Sequence, residues 1–230
     1  MFSSNDLEIS KIRLSFVGLS SNYELTFKRT MNNTLTGALS LMTAFLFISG
    51  YSGLFIINPQ TVEELNNLGI SGYNINGMKG AAWIAVFYAL AGLLNSAVAI
   101  ILLRKTKKKT LIAGGIILLF ISGIIWTSFG LISYVPSTEF GIELVMLRTI
   151  LFLVTAFFGL LFIGADIEKT FNDRFLKIYT LATAGIILML CSLSLFVLED
   201  KTWIRTNISL ALYFLWFGVF GIRILTVEGI

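Results

Sequence analysis

Arg148 and Arg205 each stand a few residues inside an otherwise apolar stretch. A charge so placed is costly unless it reaches an interface, a partner or a ligand. The guanidinium group is a rigid, permanently charged fork that can hold carboxylate or phosphate through two parallel hydrogen bonds. The pair is therefore a candidate outward-facing site for a small anion. Trp83 and Trp126 are candidate walls, and Asn95, an amide deep in an apolar run, is a candidate polar contact. Each of these residues also has a structural reading. The arginines can snorkel to lipid headgroups or pair with Glu139, Glu143, Glu199 or Asp200. Trp83 fits an interfacial aromatic belt with Trp203, Tyr134 and Tyr179. Trp126 and Trp216 fit core packing, and Asn95 fits a hydrogen bond between helices.

Other chemistry is excluded by what the chain lacks. It has no histidine, which removes His-ligated haem, His-containing zinc sites and His-based acid–base catalysis. Its one cysteine, Cys191, can form neither an internal disulfide nor a Cys-x-x-Cys pair, and reads as a small packing residue. No Asp or Glu falls near the centre of an apolar run, which argues against proton-coupled transport and intramembrane aspartyl proteolysis. The P-loop, the Rossmann glycine fingerprint, the nucleophile elbow and the His-Glu-x-x-His motif are all missing. No metal, no cofactor and no catalysis is expected.

The elements that must position these residues follow from composition. Charged residues make up 13% of the 230 and hydrophobic residues 56%, with a mean hydropathy of +0.86. Soluble chains carry roughly 25% charged residues. A transmembrane helix needs about 20 mostly apolar residues, and six runs qualify: 35–57, 80–103, 111–134, 144–165, 178–198 and 203–225. They lack the alternation of barrel strands. The expected fold is an all-α integral membrane protein, a six-helix bundle over 35–230 preceded by a cytoplasmic segment, 1–34. With the N-terminus inside, the inner segments hold twelve Lys and Arg against two outside, Lys79 and Lys201. The positive-inside rule then places both termini in the cytoplasm, with the cell membrane as the expected location. The basic run at 104–109 reads as a topology signal on anionic lipid headgroups rather than a nucleic-acid patch. No cleavable signal peptide is visible, and the first span is expected to act as an uncleaved anchor.

Two segments outside the spans carry local patterns. Residues 11–28 alternate in two runs around Ser20-Ser21-Asn22, which suggests a β-hairpin; an interfacial helix bearing Ile9, Ile12, Phe16 and Leu19 on one side competes. In the outer loop 58–79, Thr61-Val62-Glu63-Glu64 has capping-box spacing. A short helix there would be either a lid over an outward-facing pocket or a surface helix at headgroup level.

Within the second span Ala85, Ala89, Gly92, Ser96 and Ala99 recur at alternating spacings of four and three, on one helix face. Small residues let membrane helices approach closely, so this face is expected to be a packing seam. Gly50 and Gly53 in the first span and Gly123, Thr127 and Gly130 in the third offer partner surfaces. In size and topology the chain resembles the substrate-binding components of energy-coupling-factor vitamin transporters and the small permeases of ABC exporters, but no residue motif supports a carry-over. Two functions are expected to compete. One is a non-catalytic subunit or scaffold of a membrane complex, with a protein partner or a second copy beside it. The other is a solute-binding or permeation component.

Overall fold

The computed structural model describes residues 33–53, 56–57, 80–106, 110–132, 139–196 and 202–226. The expected N-terminal hairpin and the helix of the 58–79 loop lie outside them. Six helices are long and apolar enough to cross a membrane: α1 Asn33–Gly53, α2 Ala81–Lys105, α3 Thr110–Leu131, α4 Glu139–Phe171, α5 Arg174–Phe196 and α6 Thr202–Thr226. The described residues contain no strand. In a bilayer a helix meets all its backbone hydrogen bonds internally, so apolar runs of this length settle as helices.

Successive helices pack antiparallel, and the ring closes where α6 returns to α1. Gly50 and Gly53 near the end of α1 lie against Phe87 and Trp83 near the start of α2. Gly37 faces Gly221 and Leu225 of α6, and Ala44 faces Gly218. At the centre the rings of Phe47 (α1), Tyr88 (α2), Trp126 (α3), Phe152 (α4) and Phe214 (α6) form one cluster. Helix α5 stands at the side of the ring, against α4 and α6.

The α4–α5 connection departs from the expected spans. The hydropathy pattern ends the fourth span at 165 and starts the fifth at 178, whereas helix α4 continues to Phe171 and α5 begins at Arg174. Charge alone does not stop a helix. Lys169 pairs with Asp166 at 3.4 Å and Lys177 with Glu168 at 2.7 Å, so the charged ends are laced together. What stops α4 is Asn172, left-handed at φ 51°, a conformation that Asn tolerates better than most residues. Asp173 then caps α5, accepting the N–H of Leu176 at 3.0 Å.

Candidate functional site

Both arginines are engaged at helix ends. Carbonyls in the last turn of a helix carry the negative end of its dipole and can accept from a cation beside them. Near the end of α3 the Ser128 carbonyl accepts from Ile132 N–H at 3.0 Å and from Arg148 Nη1 at 3.1 Å. Arg148 is only 8% exposed, and its guanidinium lies over the Phe129 ring at 5.0 Å. Near the end of α5 the Leu193 carbonyl accepts from Arg205 Nη1 at 2.5 Å. A cation at a helix C-terminus stabilises it by about 0.3–1 kcal/mol. In the α3–α4 and α5–α6 hairpins alike, an arginine on the second helix reaches back to the end of the first. The two guanidinium groups are thus anchored to different helix ends. Of their expected carboxylate partners, Glu143 is exposed and forms no ion pair with Arg148. The side chains of Glu139, Glu199 and Asp200 lie outside the described residues.

Asn95 is fully buried and joins three helices. Its Nδ2 donates to Tyr213 Oη on α6 at 2.8 Å and to Ser122 Oγ on α3 at 3.3 Å, and the two hydroxyls meet at 2.5 Å. Ser122 also donates to the Leu119 carbonyl at 2.7 Å. Trp126, one turn further along α3, is fully buried in the aromatic cluster, with centroids of Tyr88 at 4.7 Å and of Phe152 and Phe214 at 5.0 Å. Trp83 is 40% exposed, its ring tilted against that of Phe87 at 4.5 Å. Arg148, Trp126 and Asn95 therefore turn inward, while Trp83 faces outward. Trp216 is also fully buried, its Nε1 donating to Thr180 Oγ1 at 2.9 Å.

The small-residue face of α2 lies on α3. A Cβ at Gly92 would strike the Thr127 backbone and come within 2.6 Å of the Gly123 carbonyl. A Cβ at Gly130 would strike Ala85 and Ala89, and Ser96 packs on Gly123. Ala99 continues the face, fully packed. Gly50 and Gly53 of α1 meet α2 elsewhere, at Phe87 and Trp83. Beside the seam runs an open groove of about 550 Å³, lined by Leu93, Ala97, Ile100, Phe120 and Ile124 among others. Ser96 and Thr127 of the expected packing faces line it, and neither arginine does.

At the opposite end of the bundle an ionic knot ties α4, α5 and α6. Arg223 Nε donates to Asp173 Oδ2 at 2.8 Å. Burial by itself pushes the Asp173 carboxyl up, but the hydrogen bond from Arg223, the Leu176 N–H and the arginine's charge outweigh it. The net result lies below the usual carboxylate range. A depressed folded-state pKa contributes stability in full above the ordinary Asp value of about 3.9. That contribution is lost as pH falls through the lower folded value. Asp173→Ala removes the cap and should cost about 1–2 kcal/mol at neutral pH. The variant's acid limb should also be flatter, as read by thermal melts in detergent from pH 2 to 5. A variant that melts like wild type throughout would remove Asp173 from the fold's supports. On the same side Lys105 of the basic run reaches α1, donating to Asn33 Oδ1 at 2.8 Å and Thr36 Oγ1 at 2.9 Å. Residues 107–109 of that run lie outside the described ones.

Ser122, Tyr213, Asp173 and Arg223 were not singled out from sequence. Asp173 follows Asn172 directly, and that Asn-Asp pair could have marked a helix stop and start. Tyr213 carries no local signal of its partner, 118 positions away. No protein-family model, curated protein or solved structure matches the chain.

Proposed function

We propose that the chain is a non-catalytic integral membrane protein that works as a packed subunit or scaffold of a membrane complex. The observation that carries this reading is the filling of the bundle axis. Fully buried Tyr88, Trp126, Phe152, Tyr213 and Phe214 occupy the place where a solute path between the helices would run. Both arginines cap helix ends, which gives them a structural task without a ligand. Its partners are the bilayer together with another membrane protein or a second copy of the chain, and not nucleic acid.

The orientation proposed is cytoplasmic at both termini in the cell membrane, supported by the excess of Lys and Arg on one side. Single cysteines at Ser71 and Lys169, introduced with Cys191→Ser, should react oppositely with an impermeant thiol reagent in intact cells. Lys169 suits the purpose because its side chain is 75% exposed. Equal labelling at both positions would sink the orientation.

One observation favours the alternative, a solute-binding or permeation component with an outward-facing anion site. Arg148 is a buried cation with no carboxylate in ion-pair distance among the described residues. The two readings separate under added anions. On the subunit reading, inorganic phosphate or acetate leaves the melting midpoint of the purified protein unchanged beyond a general salt effect, and Arg148→Lys is equally indifferent to the added anion. A saturable rise in midpoint with phosphate, absent in Arg148→Lys, would overturn the subunit reading, because a ligand bound to the folded state alone stabilises it by mass action.

A further inference from the structure

Two fully buried polar atoms near the bundle centre have no protein partner: the Asn95 Oδ1 acceptor and the Trp126 Nε1 donor. Reversing the Asn95 amide does not help. With Ser122 O–H given to the Leu119 carbonyl and Tyr213 O–H to Ser122, Nδ2 donates to the paired hydroxyl oxygens, most closely to Tyr213 Oη. The reversed amide would leave two donors unmet in place of one acceptor. Leaving a buried polar group unmet is strongly unfavourable, so one orphan of each kind in the same region is a strong demand.

The two side chains come from facing helices at neighbouring levels. Asn95 stands level with Ser122, and Trp126 lies one turn further along α3 on the same face, where such neighbours are about 5–6 Å apart at Cβ. Side chains lean toward the N-terminus of their helix. Because α2 and α3 are antiparallel, Asn95 leans toward the level of Trp126 and Trp126 leans toward the level of Asn95. Phe152 touches both groups of partners, 5.0 Å from Tyr213 and 5.0 Å from Trp126 by ring centroids.

We propose that this point binds a single water molecule, or another neutral molecule of that size, which accepts from Trp126 Nε1 and donates to Asn95 Oδ1. The occupant must both accept and donate, which excludes a bare cation and a bare anion. Two of the roughly three hydrogen bonds that a buried water makes are then supplied by α2 and α3. The bound molecule extends the Asn95–Ser122–Tyr213 cluster into the aromatic cage, and so joins the polar and aromatic layers of the bundle. It is independent of the subunit reading, since a structural water serves either function.

The test is proton NMR of the full-length protein in micelles with 15N-labelled indoles. The Trp126 signal is identified by its loss in Trp126→Phe. It should show a cross-peak to a long-lived water in wild type and in Tyr213→Phe, which leaves both proposed contacts in place. Asn95→Leu should abolish it while the other three indole signals keep their positions, which shows that the variant is folded. Absence of the cross-peak in wild type would overturn the site, whatever the variants do, and would be the outcome if Trp126 bonded Asn95 directly. Persistence in a folded Asn95→Leu protein would overturn it too, because the water would then be held by other groups.

Discussion

Gly92→Leu should unfold or disassemble the bundle at temperatures where wild type persists. The glycine sits where α2 and α3 touch through their backbones, so the new side chain meets Thr127 N–H and the Gly123 carbonyl rather than a yielding side chain. Overpacking typically costs about 1–3 kcal/mol, and a clash with the α3 backbone at two points belongs at or above the top of that range. Gly185→Leu is the matched control, because nothing lies within 4 Å of the point where its Cβ would stand. Leu93→Ile, on the exposed side of the same helix as Gly92, should likewise change little. Melting midpoints in detergent compare the three directly. If Gly92→Leu melts with Gly185→Leu, the seam is not a backbone contact.

Trp126→Ala should cost about 3–5 kcal/mol, the range for removing a large aromatic side chain from a packed core. Five rings from four other helices and from α3 itself surround it, between 4.7 Å and 6.0 Å by centroid. A void there would loosen α1, α2, α4 and α6 together. Trp126→Phe should cost clearly less, since it keeps a ring while losing the indole N–H. Were Trp126→Ala as stable as Trp126→Phe, the space would already be loose, and a path through the bundle would become the better reading.

Both sites show what the sequence disclosed and what it withheld. Hydropathy alone locates all six helices, because apolar runs of such length have few other stable forms in a bilayer. The spacing of Ala85, Ala89, Gly92 and Ser96 marks one face of α2, and the glycines at 123 and 130 mark a matching face of α3. Small residues carry that information locally. The end of α4 stayed hidden because the charges at Asp166, Glu168 and Lys169 end the apolar run without ending the helix. The turn rests instead on a left-handed Asn172 and the Asp173 cap.

The roles of the arginines were harder still to read. Their cost inside an apolar run is evident from sequence, but not which carbonyl each would meet. Ser128 lies 20 positions before Arg148, and Leu193 12 before Arg205. Only the antiparallel register of each hairpin brings them together. Asn95 is a similar case. Its burial demanded a partner, and that partner came from a helix far along the chain, at Tyr213. Registers between helices distant in sequence are set by the whole packed bundle, and no local pattern encodes them.

The subunit reading is tested most directly by native mass spectrometry of the chain purified from its own membranes in mild detergent. Protein partners and bound small molecules are then weighed in one spectrum. The expected result is a defined assembly heavier than the 25.5 kDa chain, containing another polypeptide or a second copy, and unchanged by Arg148→Lys or Arg205→Lys. A single chain carrying a small anionic molecule that either substitution removes would contradict it.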